Sequence, residues 1–344
     1  MESGVPQGTV LGPILFLIMI NDLGKVVINS IISMFADDTR VTKVIKDEHD
    51  IKKLKDDLEN IYIWQNENNM LFNTKKFELL RYGSNIELQS SSYPKPEGTE
   101  DIPVKVVLRD LGVQMNNRGD FTDHIDKVVS QVSKKSGWIL RTFSCRSTQF
   151  MRMMWKTLVQ GHIDYCSQLY QPLQSGNLTR IENQMKIFTK KIPHVREMNY
   201  WMRLKTLKMN SQQRRFERYR IIYIWKVLEG LVPNPGVLAC NPSRGGRRCQ
   251  IPPLSKTATK KIQTLRESSF QVHGARLFNC LPEKVRNVTK CSVIEFKEKL
   301  DFFLNQIQDE PKIGTLIPAC CDQLTGAPSN SLVDQVRQNL NSKF

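Results

Sequence analysis

The sequence predicts an α+β fold: a short antiparallel β-hairpin with its flanking helices, followed by a long, mostly helical region. Three observations carry that expectation. Two β-rich runs, 30–36 and 39–44, meet at Ala36-Asp37-Asp38 in the pattern of a tight hairpin. Ile51, Leu54, Leu58, Ile61 and Tyr62 make one apolar face of a helix running from Asp47 to about Asn69. From residue 120 onward, apolar residues recur at helical rather than strand intervals.

The elements follow in order. Gly4 to Gly8 read as a loop, and VLGPILFLIMI at 10–20 reads as a buried helix stopped by Gly24. That run is too short for a membrane span, which needs about 20 residues. Glu2 stands where a secretory leader would carry a basic residue, so no leader is expected. The turn at 36–38 holds neither Gly nor Asn, so its aspartates suggest a role beyond turning the chain. Strands are expected at 77–82, 104–108 and 111–115, with a polar, proline-bearing loop at 90–101.

Farther on, Ile125, Val128, Val129, Val132 and Ile139 form one helical stripe. Ile181, Met185, Phe188 and Ile192 form a second, and Thr179 with Glu182 resembles a capping box at its start. In the helix at 211–229, Phe216, Tyr219, Tyr223 and Val227 share a side and Arg214, Arg215 and Arg218 lie opposite. Trp225 and Ile222 fall on the arginine side, so the second half of that helix is expected to be buried all round. Trp138, Trp155, Trp201 and Trp225 are expected to fill the helical core. VPNPG and NPSRGGRRCQIPP read as linkers, with short helices around 266–280 and 291–307 and a weakly patterned tail. Three regions result: 1–115, 116–230 and 231–344.

Charge narrows the function classes. The net +16 is unevenly placed: residues 1–115 hold 17 acidic and 13 basic side chains, whereas 116–230 hold 21 basic and 8 acidic. A basic block behind an acidic one suggests a polyanion held against a carboxylate site. Eight cysteines include no C-x-x-C pair, and no histidine follows at finger spacing, so structural zinc is unsupported. They read as reduced intracellular thiols. The five histidines form no H-x-x-x-H or H-x-H pair, and no glycine-rich phosphate loop occurs. The Asp37-Asp38 pair has two readings, a solvated turn or a site for divalent cations in phosphoryl transfer.

The combination GVPQGTVLGPILFLIMINDL at 4–23, then FADD at 35–38, resembles the carboxyl-terminal half of a reverse-transcriptase palm. It is similar in particular to the enzymes of non-LTR (LINE-type) retrotransposons of the jockey and CR1 kind. LGVQMNNRGDFTDHIDKVVSQVSKKSGWILRTF resembles the start of their thumb, and NYWMRLKTLKMNSQQRRFERYRIIYIWKVLEGLVPN a later segment of the same reading frames. The likeness runs from about residue 3 to 310.

The resemblance implies an RNA-directed DNA polymerase with a right-hand architecture: a partial palm at 1–115, a basic helical thumb at 116–230, and a C-terminal region at 231–344. Asp37 would be a ligand of catalytic Mg²⁺ (or Mn²⁺), with Asp38 beside it as a weaker or indirect ligand. Gln7 and Gly8 would lie by the incoming nucleotide and template, Gly8 permitting close backbone approach. Lys76 would match the lysine proposed to protonate departing pyrophosphate, and Leu111, Gly112 and Val113 would belong to the primer grip. Lys134, Lys135, Arg214, Arg215 and Arg218 would track the nucleic-acid backbone. The partners implied are an RNA template, a DNA primer or target and deoxynucleotides, with no membrane. A nucleic-acid partner would require access to the nucleus or to a cytoplasmic ribonucleoprotein, and the sequence itself carries no localisation signal that decides between them.

One departure sets an expectation against activity. The family carries a third aspartate on a palm strand upstream of the PQG loop, and no such strand precedes Gly4 here. The lone chain is therefore expected to be catalytically incomplete, and its 1–115 region, left with an unpaired strand edge, to be its weakest part. The alternative is a non-catalytic nucleic-acid-binding module of retrotransposon origin.

Overall fold

The computed structural model describes residues 8–83, 85–96, 98, 100–170, 175–234, 240–243, 246–251, 253, 259–310 and 331–341. The chain divides into two compact units, 1–108 with 116–118, and 109–115 with 119–344. Helices and small two-stranded sheets make a mixed α and β structure.

The first unit opens with α1 (Gly12–Ile20), which carries Pro13 in its first turn, where a missing N–H costs nothing. Short α2 (Leu23–Val26) leads to strands β1 (Ile31–Phe35) and β2 (Asp38–Thr42), then to the long α3 (Glu48–Glu67). Asp47 starts α3 by accepting the Asp50 amide. The core is small. Ile20, Leu23, Ile61 and Trp64 are buried, with Phe16, Ile32, Val41 and Leu58 packed on them.

The expectation that 10–20 is buried is corrected. Only Gly12 and Ile20 of α1 are buried, while Ile14 and Ile18 are 52% and 66% exposed. The run is apolar all round, and only the Gly12, Phe16, Ile20 stripe, spaced four residues apart, turns inward.

Asp57 of α3, fully buried, ties the unit together: its carboxylate accepts the amides of Ile28 and Asn29 and the Asn29 side chain. Burial works to raise its pKa, but these hydrogen bonds more than offset it and hold the group below the ordinary carboxylate range.

A 3₁₀ turn at Thr74–Lys76 precedes β3 (Leu79–Leu80), α4 (Ile86–Gln89) and β4 (Val104–Lys105). The expected strand at 77–82 thus reduces to Leu79 and Leu80, paired in parallel with Val104 and Lys105, while the rest of the one expected at 104–108 runs into the next strand. Strands β5 (Val107–Asp110) and β6 (Val113–Asn116) form the hairpin at which the chain passes between units.

The second unit is helical: α5 (Thr122–Thr142), α6 (Thr148–Met154), a π-helical turn at Trp155–Val159, α7 (Gln160–Asp164), α8 (Ser167–Tyr170) and α9 (Ser175–Thr189). A short 3₁₀ turn leads to α10 (Tyr200–Leu207) and α11 (Gln212–Leu228). The stripe from Ile125 to Ile139 is buried apart from half-buried Val129, and so are Ile181, Met185, Phe188 and Ile192. Trp155 and Trp225 fill the core and Trp201 packs against it, whereas Trp138 is 43% exposed. The capping box is corrected: α9 begins at Ser175, so Thr179 lies inside it. Glu182 instead points into the core, where it takes the Tyr200 hydroxyl and the Gln212 amide.

The rest of the second unit comprises β7 (Cys240–Ser243), β8 (Gly246–Cys249), α12 (Lys260–Ser268), α13 (Phe270–Asn279), α14 (Glu283–Arg286), α15 (Val293–Asn305) and α16 (Leu332–Asn341). Where NPSRGGRRCQIPP reads as a linker, its described part contributes to an antiparallel pair, Cys240 opposite Cys249. Two hydrophobic clusters share α11. Phe216 belongs to the first, with α5, α9 and α10; Ile221, Ile224 and Trp225 belong to the second, with α13, α15 and α16. Trp225 stacks on Phe296 at 4.4 Å between ring centroids, and its indole N–H donates to the Val288 carbonyl.

Candidate functional site

Asp37 sits in the turn of the β1–β2 hairpin and Asp38 opens β2, opposite Phe35. A two-residue hairpin turn needs positive φ at one or both central positions. Here Ala36 supplies it, at φ 51°. A residue with a Cβ in that region costs about 1–2 kcal/mol, so the tip holds its shape against local preference. Both aspartates are exposed, as is every residue from Ser33 to Arg40. Among the described residues no group of three His, Cys, Asp or Glu side chains is placed to hold a metal ion.

Gln7 lies outside the described residues. Gly8 has φ 84°, and a Cβ added there would meet nothing within 4 Å. Its constraint within the chain is therefore backbone conformation rather than crowding. Lys76 is exposed at the end of the 3₁₀ turn that the Asn73 side chain caps.

Leu111 and Gly112 form the two-residue turn between β5 and β6, both with positive φ, 43° and 89°. Leucine is unfavourable in this conformation, and three groups of the second unit hold it. The Tyr165 hydroxyl donates to the Leu111 carbonyl, Lys127 donates to the Gly112 carbonyl at 3.2 Å, and the Gln114 amide donates to His124 Nδ1. Burial, with a smaller contribution from Lys127, lowers the His124 pKa to about 4, so the ring is neutral and able to accept. Val113 is buried. A Cβ at position 112 would come within 3.3 Å of the Tyr165 ring.

Lys134 and Lys135 lie exposed on α5, with Lys135 over the Trp138 ring. The arginines of α11 behave differently. Arg214 is buried and donates to the carbonyls of Leu304 and Gln308 and to the Gln335 side chain. Its expected contact with a nucleic-acid backbone is corrected: this guanidinium is an internal strut, its partners drawn from residues about ninety or more positions away. Arg215 pairs with Asp164, and Arg218 makes a bidentate pair with Asp301. The two guanidinium groups lie 5.6 and 5.8 Å from the Tyr219 ring centre.

Sequence reasoning passed over Lys205 and Lys208, exposed at the end of α10 beside this arginine pair. The signal was present in the matching three-residue spacings 205/208 and 215/218.

Comparison with known proteins bears on this site. Residues 1–115 match the family model of reverse transcriptase (RNA-dependent DNA polymerase). The class to which this segment is similar is thus the reverse transcriptases. Over 192 residues the chain is 25% identical to the probable RNA-directed DNA polymerase from transposon X-element of Drosophila melanogaster, a match covering 53% of this chain and 21% of that one. The similarity is therefore to reverse transcriptases, one of them from a transposon. The match spans about a fifth of the relative's length. No solved structure matches significantly.

Reverse transcriptases as a family use divalent cations. Mg²⁺ prefers carboxylate oxygens with near-octahedral geometry, and a two-ion site needs more ligands than one hairpin tip offers. Asp37 and Asp38 fall short of such a set by themselves. Among the described residues no helix is long and apolar enough to cross a membrane.

Proposed function

We propose that the chain is part of an RNA-directed DNA polymerase of a non-LTR retrotransposon, and that by itself it binds nucleic acid without extending a primer. The observation that carries this reading is Asp37-Asp38 at a strained, exposed hairpin tip inside the segment that matches reverse transcriptase. In it, residues 1–115 are a partial palm and 116–230 a thumb. Asp37 and Asp38 supply half of a metal site, Lys76 a proton for the leaving group, and Gln7 and Gly8 a face for nucleotide and template. Leu111, Gly112 and Val113 meet the primer, while Lys134 and Lys135 contact phosphates of an RNA template or DNA primer. Arg215 and Arg218 keep a place in that contact as paired cations.

Primer extension on an RNA template with Mg²⁺ or Mn²⁺ tests the reading. The expected result is no extension by folded protein, together with salt-sensitive binding of the template–primer. Extension that disappears in Asp37→Asn/Asp38→Asn would overturn the inactivity while keeping the family role.

The second reading, a binding module with no part in polymerisation, is favoured by the 21 basic against 8 acidic residues of 116–230. Ligand preference separates the two. Tighter binding of a recessed RNA–DNA template–primer than of either strand alone supports the polymerase reading, and equal binding of all three supports the module.

A further inference from the structure

Between the end of α10, the outer face of α11 and α15 lies an open cleft of about 490 Å³. Its floor includes Leu204 and Leu304, both buried, and its walls carry Lys205, Lys208, Arg215 and Arg218. The two arginines are already paired, with Asp164 and Asp301, and both guanidinium groups lie close to the Tyr219 ring. Lys205 and Lys208 differ. Both are exposed, and neither has a carboxylate partner among the described residues.

Lys208 has φ 50° at the C-terminal cap of α10, a position that usually falls to glycine or asparagine. A further observation points to an anion. On the flank, Arg152 donates to the Leu207 carbonyl at the end of α10, and Lys156 follows it one turn later. Burial, and then repulsion from Arg152 and Arg215, lowers the Lys156 pKa. The residues lining the cleft thus include four cations, Lys205, Lys208, Arg215 and Arg218, against one carboxylate, Asp301, and an anion would relieve the cations' repulsion.

We propose that this cleft binds phosphates of a nucleic-acid backbone, with Lys205 and Lys208 making the direct contacts and Arg215 and Arg218 supporting them. The inference rests on the nucleic-acid-binding reading above and gives it a location. A polyanion fits better than a single phosphate, because the cations are spread along two helices and the cleft is open. Backbone contacts of this kind carry affinity without sequence preference.

The test is binding of a labelled mixed-sequence single-stranded oligonucleotide by the full chain over a range of salt. Wild type, Lys205→Gln/Lys208→Gln, Lys205→Arg/Lys208→Arg and Lys134→Gln/Lys135→Gln are compared after matching their thermal melts. All four lysines are exposed, so the fold tolerates the changes. For single strands each phosphate contact contributes about 0.7 to the slope of log affinity against log salt. The 205/208 glutamine pair is expected to lower that slope by about 1.4 and to weaken binding equally across sequences, with the arginine pair restoring both.

Unchanged affinity and slope in the 205/208 glutamine pair, with loss in the 134/135 pair, would overturn the cleft and leave nucleic-acid binding standing. A loss in the 205/208 glutamine pair that the arginine pair leaves unrestored would also overturn it, since charge in the cleft would then not be its cause. Failure of the wild type to bind would overturn the cleft and the underlying reading together.

Discussion

The Tyr165 hydroxyl donates a 2.6 Å hydrogen bond to the carbonyl of Leu111, a leucine held at φ 43° with its side chain 45% exposed. The strained turn and the residue that holds it lie more than fifty positions apart in the chain. Tyr165→Phe is expected to destabilise the second unit by about 1 kcal/mol and to speed amide exchange at 109–115. Leu111→Gly, which removes the unfavourable contact of Cβ with the backbone, should stabilise it by about 1 kcal/mol. Chemical denaturation with hydrogen exchange checks both.

Ala36 offers the same measurement in the first unit. Ala36→Gly should strengthen the hairpin by about 1 kcal/mol, leaving Asp37 and Asp38 in place. The check is exchange protection of the Phe35 and Asp38 amides.

Protons should act on the two units in opposite senses. Burial raises the pKa of Glu182 and of Glu217 to about 7. Their folded pKa values lie above their unfolded ones, so each contributes stability that is full below the unfolded value and lost as pH rises toward 7. Asp57 is depressed, so its contribution is present above its unfolded pKa and lost as pH falls below it. Melting followed by probes in each unit should show the second gaining stability from pH 7 to pH 5, where the first is still intact. Glu182→Gln and Glu217→Gln should flatten the gain in the second unit. A gain that persists in both variants would sink this assignment.

Limited proteolysis should cut the first unit before the second. Its core has four buried hydrophobic residues, against the two larger clusters joined by α11, and local opening follows the amount of buried apolar contact. Earlier cuts within α5 or α11 would contradict this.

Replacing Ile14 or Ile18 by lysine should shift stability by no more than about 0.5 kcal/mol in a thermal melt, since both side chains are exposed. Ile20→Ala on the inward stripe should instead cost about 2–5 kcal/mol.

What could be read from the sequence was what depends on near neighbours. The hairpin at 31–42, the helix at 48–67 and the stripe from Ile125 to Ile139 follow from local periodicity. Burial of Arg214 depends on carbonyls and side chains of 304–335, which no helical period reveals. Exposure of α1 escaped notice because an apolar run reports its composition and not whether anything covers it. The β7–β8 pair was hidden by proline, glycine and arginine, and its β8 strand is held by Asn279 and Asn287 from elsewhere. At the candidate site, the aspartate pair was visible through its motif. The cleft at Lys205 and Lys208 was not, since it exists only where three helices meet.

The sharing of α11 between two hydrophobic clusters sets a rule for dissection. An expression fragment that stops at residue 230 would carry Ile221, Ile224 and Trp225 with the cover of α13 and α15 removed. A fragment that starts there would lack the wall on which Phe278 and Phe296 pack. Either piece should collect in inclusion bodies, so deletion mapping of nucleic-acid binding needs point substitutions in place of truncations at that boundary.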